Sequence, residues 1–486
     1  MPASAHPAIV IVGTGFAGLC AAIRLLQRGE TDFVLLERAA TVGGTWRDNT
    51  YPGAACDVPS HLYSLSFASN PDWTRTYPTQ PELRAYLEDI AARYGLLPYV
   101  RFDTELLDAA WDDDAKRWRI TTNQGPLTAR ALISGTGGLS EPKLPDIPGV
   151  ERFAGKTFHS ARWDHGYDLT GKRVAVIGTG ASAIQFVPEI APKPARLDVY
   201  QRTPSWIVPR PDRPYSATER WAFRTVPGTR AALRAGIYWL HELRVFAFVA
   251  QPALLRQYQR VATAHIARQV PSPALRAAVT PNYTLGCKRV LLSNDWYPAI
   301  QRPNVALVTN GIREIRPEAV VATDGTVRPV DCLIFATGFY ATESPVAQRI
   351  RGRGGSTLAE AWANGEEAYV GTLVKGFPNL FLLVGPNTGL GHTSMVFMIE
   401  AQVEYVLRLL AHTRAENAAA IEVTPEAHDA YNRALQARLA GSVWATGCKS
   451  WYQHRSGKIT ALWPGFTFGF WLRTRRFYPD HYALAR

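Results

Sequence analysis

The chain has 486 residues, of which 47% are apolar and 19% charged. Global disorder is excluded, and there is enough apolar mass for two or three cored domains. The net charge of +12 comes from scattered arginines, with no basic cluster denser than Arg473, Arg475 and Arg476. That scatter argues against a nucleic-acid partner, and attraction of anionic dinucleotides explains the charge equally well.

The five cysteines, Cys20, Cys56, Cys287, Cys332 and Cys448, are odd in number and widely spaced. No C-x-x-C occurs, so neither a zinc ribbon nor a dithiol redox centre is written here. Reduced thiols in a cytoplasmic protein are the simplest expectation. The N-terminus shows no basic segment followed by an apolar one, so no secretory signal is expected. The most apolar later window, Ala235 to Leu255, contains His241, Glu242 and Arg244. It is too interrupted to span a bilayer and reads as a buried or amphipathic helix, so no integral membrane segment is expected. No metal-ligand cluster and no Ser-His-Asp constellation stands out.

In chain order, Ala8 to Gly13 is a short apolar strand, a glycine turn opens a helix through Leu26, and Phe33 to Glu37 is a second strand. This is a β-α-β unit with its glycines at the turn. A strand at Ala131 to Gly135 runs into a linker marked by Pro142, Pro145 and Pro148. The pattern then recurs as a strand at Arg173 to Thr179, a helix from Ser182 and a strand at Leu197 to Gln201. From Thr203 to about Tyr283, arginine, alanine, leucine and aromatics take helical spacing, which reads as an insertion. Strands return at Val305 to Val308, Asp331 to Phe335 and Leu380 to Val384, before a long helix near Met395 to Ala411. The fold class expected is α/β, with two Rossmann-type dinucleotide-binding domains and a helical insertion in the second.

Gly13-Thr14-Gly15-Phe16-Ala17-Gly18 fits G-x-G-x-x-G after a strand and before a helix. The first glycine permits the tight turn, the second lets a pyrophosphate approach the backbone, and the third lets helix pack on strand. The pyrophosphate sits at the helix N-terminus. Glu37, ending the next strand, is placed to accept hydrogen bonds from ribose hydroxyls. The second fingerprint is Gly178-Thr179-Gly180-Ala181-Ser182-Ala183, with alanine as the third small residue. There the position equivalent to Glu37 falls on Arg202. A guanidinium in that place suits a 2′-phosphate, so NADPH is expected over NADH. Two such sites, one ending in Glu and one in Arg, imply hydride transfer from NADPH to a flavin.

Two further segments carry a resemblance: Phe153-x-Gly155-x-x-x-His159-x-x-x-Trp163-Asp164, and Gly44-Thr45-Trp46 followed by Tyr51-Pro52-Gly53 and Asp57. Both match fingerprints of Baeyer–Villiger monooxygenases. The chain resembles that family nearly end to end, including Lys288-Arg289, Ala336-Thr337-Gly338-Phe339 and Ser450-Trp451-Tyr452. Trp163-Asp164 favours this branch over related flavin monooxygenases that oxidise amines and sulfides. The division expected along the chain is 1–145 and 346–486 for the FAD domain, 150–204 and 284–345 for the NADP domain, and 205–283 for the insertion.

The resemblance implies FAD, NADPH, O2 and a small-molecule ketone. Reduced FAD and O2 give a flavin C4a-peroxide that attacks the ketone carbonyl, and rearrangement yields an ester or lactone. Arg289 resembles the arginine that stabilises the peroxide, and Asp57 the carboxylate that positions it; both border the cofactors. A fixed cation lowers the proton affinity of an anionic nucleophile, and arginine does not readily give up a proton to quench it. Lys288 and Arg202, with Thr203 beside them, look like 2′-phosphate ligands. Gly44, Thr45, Trp46 and Tyr63 look like FAD contacts. Trp451 resembles an aromatic closing over the nicotinamide, with a core tryptophan as the other reading. His159 and Trp163 read as structural linker residues. The alternatives are oxygenation mainly of sulfur or nitrogen, and a non-oxygenating flavin redox protein. The segment after Ser450-Trp451-Tyr452 leads to Trp463-Pro464-Gly465 and is similar to the branch that includes aryl-ketone monooxygenases.

Overall fold

The computed structural model describes residues 6–249 and 252–486. The reading of the extreme N-terminus, and Ala250 and Gln251 within the apolar window, lie outside them. The first sheet has five parallel strands in the order Leu380–Leu382, Ala131–Ser134, Ile9–Val12, Phe33–Leu36, Val100–Arg101. The first four of these are short apolar runs with almost every residue buried. Such runs suit a parallel sheet covered on both faces. Helices Phe16–Gln27 and Met395–Ala415 cover one face. The antiparallel strands Leu106–Asp112, Arg117–Thr122 and Gly125–Ala129 cover the other, with Trp111 and Trp118 in the core between.

The second sheet is also parallel, in the order Val305–Val308, Arg196–Tyr200, Arg173–Ile177, Cys332–Phe335, Lys156–His159. Helix Ala183–Ile190 packs on one face. The antiparallel strands Ile312–Arg316, Ala319–Ala322 and Val327–Pro329 pack on the other.

The insertion is helical, with segments Ala217–Thr225, Thr229–Val249, Pro252–Gln269 and Pro273–Val279. A two-residue parallel pairing, Ile207–Val208 with Leu291–Leu292, marks where the chain leaves and returns. That pairing brings Lys288 and Arg289 back to the point of departure. The apolar window is not a buried helix. In Thr229–Val249 the side facing the protein buries His241 and Glu242 together with Val245 and Phe248. The outer side exposes Trp239, Leu240, Leu243 and Phe246. No helix among the described residues is long and apolar enough to cross a membrane.

The expectation of five reduced thiols is corrected. Cys287 and Cys448, separated by 161 residues, form a disulfide with their Cα atoms 6.2 Å apart. Cys20, Cys56 and Cys332 are free and buried. Wide spacing does not report pairing, because the fold alone decides which distant cysteines meet.

Candidate active site

Both glycine turns are built as tight cradles. Gly13 has φ +95°, and a Cβ there would lie 2.8 Å from the Gly135 carbonyl oxygen. A Cβ on Gly18 would sit 1.8 Å from the Gly13 carbonyl oxygen, so only glycine lets helix Phe16–Gln27 pack on its strand. Gly15 is the N-cap of that helix and makes no side-chain cap. Phe16 and Ala17 after it are buried. A Cβ on Gly15 would meet only Gly44, whose Cα lies 3.8 Å away. The first N–H groups of the helix are therefore left to an anion at a surface stripped of side chains. These residues fit the pyrophosphate of FAD.

Glu37 is buried, and its carboxylate accepts from the Thr14 hydroxyl at 2.5 Å, the Thr14 N–H at 3.1 Å and the Ala39 N–H at 3.0 Å. Arg47 pairs with it at 2.8 Å. Arg47 was not singled out in the sequence, although it directly follows the Gly44-Thr45-Trp46 fingerprint. Trp46 donates its ring N–H to the Tyr63 hydroxyl at 3.3 Å, and Tyr63 sets its edge against Phe16, 5.1 Å between centroids. Thr45 begins the short helix Thr45–Asp48. The FAD-side residues Gly44, Thr45, Trp46 and Tyr63 thus converge on the N-terminus of one helix.

The second turn repeats the design. Gly178 has φ +114° and would place a Cβ 2.4 Å from the Ala336 carbonyl oxygen, while Gly180 faces open space. Thr179 and Ala183 are buried, and Ser182 is the N-cap of Ala183–Ile190 without a side-chain cap. Gln201 is buried and donates to the Ala278 carbonyl at 2.8 Å. The next residue, Arg202, is exposed, with Thr203 beside it. Burial and then the charge of Arg202 depress the Lys288 ammonium. Two cations within electrostatic reach of each other and without a carboxylate partner among the described residues fit a 2′-phosphate.

Both long fingerprints meet on helix Ala183–Ile190. Gly53 has φ +75°, and a Cβ there would lie 2.8 Å from the Gln185 carbonyl oxygen. Tyr51 donates to the Gln185 amide oxygen at 2.9 Å. Tyr51 and Trp163 both set their rings against Phe186, with centroids 6.0 and 5.1 Å away. Gln185 and Phe186 were missed in the sequence because nothing local marks them. His159 is buried, with Nδ1 accepting from the Ala161 N–H at 3.1 Å, and it lies against Phe339. Asp164 pairs with Lys156. Trp163 and His159 therefore pack within the second domain, and Tyr51 and Gly53 bring the FAD-side chain onto the same helix.

Beyond Gly53 the chain carries Asp57 to Arg289. The Asp57 Oδ2 accepts from Arg289 Nη2 at 2.5 Å and Nε at 3.1 Å. Burial acts to raise the Asp57 carboxyl, but Arg289, with Arg210 assisting, holds it below its ordinary value. Asp57 in turn raises the Arg289 guanidinium, which stays charged. Arg210, a cation the sequence did not mark, also reaches the Cys56 carbonyl at 3.4 Å. Tyr452 is buried within electrostatic reach of Arg289, and burial pushes its phenol up to about 12. Trp451 is 45% exposed and lies against Tyr452 at 4.5 Å between centroids. It is not a core tryptophan.

A group with metal-ligand geometry, Glu367, His428 and Asp429, has its carboxylates engaged by Lys458 and Lys375. An ammonium at each carboxylate makes it an ion-pair cluster.

A sequence profile of the pyridine nucleotide-disulphide oxidoreductase family matches residues 10–220. A Baeyer–Villiger monooxygenase of Streptomyces coelicolor is 50% identical over 99% of this chain and 93% of its own. Another, from Pseudomonas aeruginosa, is 51% identical over 100% and 93%. Among solved structures, an oxidised steroid monooxygenase bound to NADP superposes with a TM-score of 0.86 at 32% identity, covering 99% of this chain and 100% of that one. A complex of OTEMO with FAD and NADP superposes at 0.87 with 27% identity, covering 99% of both. With two dinucleotide cradles and near-complete overlap with these relatives, the chain belongs to the Baeyer–Villiger monooxygenase family.

Proposed function

We propose that Arg289 and Asp57 are the catalytic pair of an NADPH- and FAD-dependent monooxygenase that turns a ketone into an ester or lactone. The observation that carries this is the double hydrogen bond from Arg289 to Asp57, at 2.5 and 3.1 Å, beside the buried Tyr452. Ketone, O2, NADPH and a proton become ester, water and NADP+, so one oxygen atom enters the product and the other leaves as water. FAD reduced by NADPH supplies the activated oxygen when both cofactors are bound. Arg289 sets a fixed positive charge beside the ketone, where the carbonyl oxygen takes up negative charge on attack. A prearranged donor there favours the transition state over the ground state. Asp57 occupies two of the five N–H donors of the guanidinium and fixes its plane; the others remain for the reacting oxygens. Because Asp57 holds its carboxylate form, Arg289 is not a source of protons that would quench a nucleophilic oxygen.

Arg202 and Lys288 hold the 2′-phosphate of NADPH, and Glu37 the ribose of FAD. Strand pairing supports assigning 1–145 and 346–486 to the FAD domain, 150–204 and 284–345 to the NADP domain, and 205–283 to the insertion. Arg289→Ala tests the central assignment. Flavin reduction by NADPH, followed by stopped-flow absorbance, stays within a few-fold. Ester formation falls by about a hundredfold or more, the loss expected for one oxyanion donor. Ester formation near the parent rate in Arg289→Ala removes Arg289 from this role.

A further inference from the structure

Helix Thr229–Val249 is apolar on its outer side as well as its inner one. A surface helix ordinarily buries its apolar side and exposes its charges. Here the side toward the protein buries Val245 and Phe248 and also carries polar anchors. Arg234 donates to the carbonyls of His61 at 2.8 Å and Ser64 at 2.9 Å. His241 bonds the His392 carbonyl at 3.0 Å. Glu242, 1% exposed, accepts from the Thr467 hydroxyl at 2.9 Å and the Phe468 N–H at 3.3 Å. These contacts fix which side faces out. That outer side presents Trp239, Leu240, Leu243 and Phe246, exposed at 53%, 60%, 67% and 45%. The row continues onto helix Thr467–Arg475, where Phe468 lies 6.0 Å from Trp239 and Leu472 is exposed. A hollow of about 400 Å³ between the two helices is lined by Phe246, Phe468 and Leu472, with Arg473 and Arg476 at its edge.

The charge around this face is one-sided. From Arg220 to Asn294 the chain holds eleven lysines and arginines and a single carboxylate, Glu242. That carboxylate points inward, so the stretch from Arg220 to Asn294 shows solvent no negative side chain. Arg244, on the same helix, is exposed beside the apolar row. Large apolar and aromatic side chains in a row, flanked by arginines and free of acids, match a bilayer interface. Aromatic and aliphatic groups enter the headgroup boundary while cations meet anionic phosphates.

We propose that the outer face of Thr229–Val249, together with Phe468 and Leu472, docks this protein on an anionic lipid surface. The helix lies in the plane of the interface and does not cross it, in keeping with Arg234, His241 and Glu242, which anchor its inner side to the protein. Neither FAD nor NADPH takes part in the contact, so it is separable from the oxygenation chemistry.

The test is flotation of the full-length, FAD-loaded protein with vesicles of phosphatidylcholine alone or with about one-third phosphatidylglycerol. The protein floats with the anionic vesicles about tenfold or more better than with the neutral ones, and raised salt weakens the binding. Leu240→Ser with Leu243→Ser lowers flotation by about tenfold while NADPH-dependent oxidation of a water-soluble ketone is unchanged. Leu243→Glu alone, at an exposed position where folding is not at stake, does the same. Three outcomes overturn the proposal. One is no flotation with anionic vesicles, and another is flotation that these variants leave intact. The third is a self-associated species in sedimentation velocity that the variants dissociate, without vesicle binding, which would assign the face to a second copy of the chain.

Discussion

Arg202 and Lys288 are two cations that the fold sets side by side with no carboxylate between them. Burial first, and then the charge of Arg202, disfavours the charged state of Lys288. An anion held by both gains from each, and the 2′-phosphate is the group that distinguishes NADPH from NADH. Arg202→Ala is expected to raise the Michaelis constant for NADPH by about tenfold or more, the cost of one lost charge-assisted hydrogen bond. The constant for NADH should move little. Steady-state kinetics with both nucleotides decides this, and equal shifts would contradict the assignment. A second residue-scale consequence concerns protons. Burial depresses His61, His159 and His241 to about 4, with neighbouring arginines adding to the effect. The unfolded chain binds protons at these sites near pH 6.5, where the folded protein does not. Stability is therefore complete above about pH 6.5 and falls as the pH drops toward 4. Thermal melts from pH 7.5 to 5 should show a falling midpoint, and His159→Gln should flatten part of that slope.

Among the elements, the Cys287–Cys448 bridge ties two segments that both serve the site. Cys287 directly precedes Lys288 and Arg289, and Cys448 lies just before Trp451 and Tyr452. The bridge fixes the C-terminal segment to the end of the insertion. Cys448→Ala is expected to lower unfolding free energy by about 2–4 kcal/mol. It should also lower the ester formed per NADPH oxidised, because Tyr452 is then less firmly held beside Arg289. Urea unfolding and product yield measure the two effects. This bridge was not legible in the sequence, since cysteines that far apart carry no mark of their partner. Other elements were legible. The strands around Ile9–Val12 and Arg173–Ile177 followed from apolar runs ending in glycine, because a parallel strand buried on both faces tolerates little else. Helix Thr229–Val249 was visible as a helix, yet its orientation was not. Apolar spacing shows that one side is apolar, and only the anchors Arg234 and Glu242 decide which side faces out.

At the scale of the whole molecule, two sheets each end in a cradle for a dinucleotide, and helix Ala183–Ile190 joins them. Tyr51, Gly53 and Trp163 meet on Gln185 and Phe186 of that helix, which gives the two long fingerprints one shared purpose. Their residues could be read in the sequence, but the helix they clasp could not, because Gln185 and Phe186 look ordinary there. The same joint carries Asp57 from the FAD-side chain to Arg289 at the end of the insertion. The pair proposed as catalytic thus forms across that junction. The measurement that tests this account most directly is product analysis with labelled O2. The purified, FAD-loaded protein is incubated with NADPH and a panel of linear, cyclic and aryl ketones plus one thioether. The account predicts ester or lactone carrying one labelled oxygen atom, with NADPH consumed in step. Sulfoxide as the sole organic product, with every ketone returned unchanged, would contradict it.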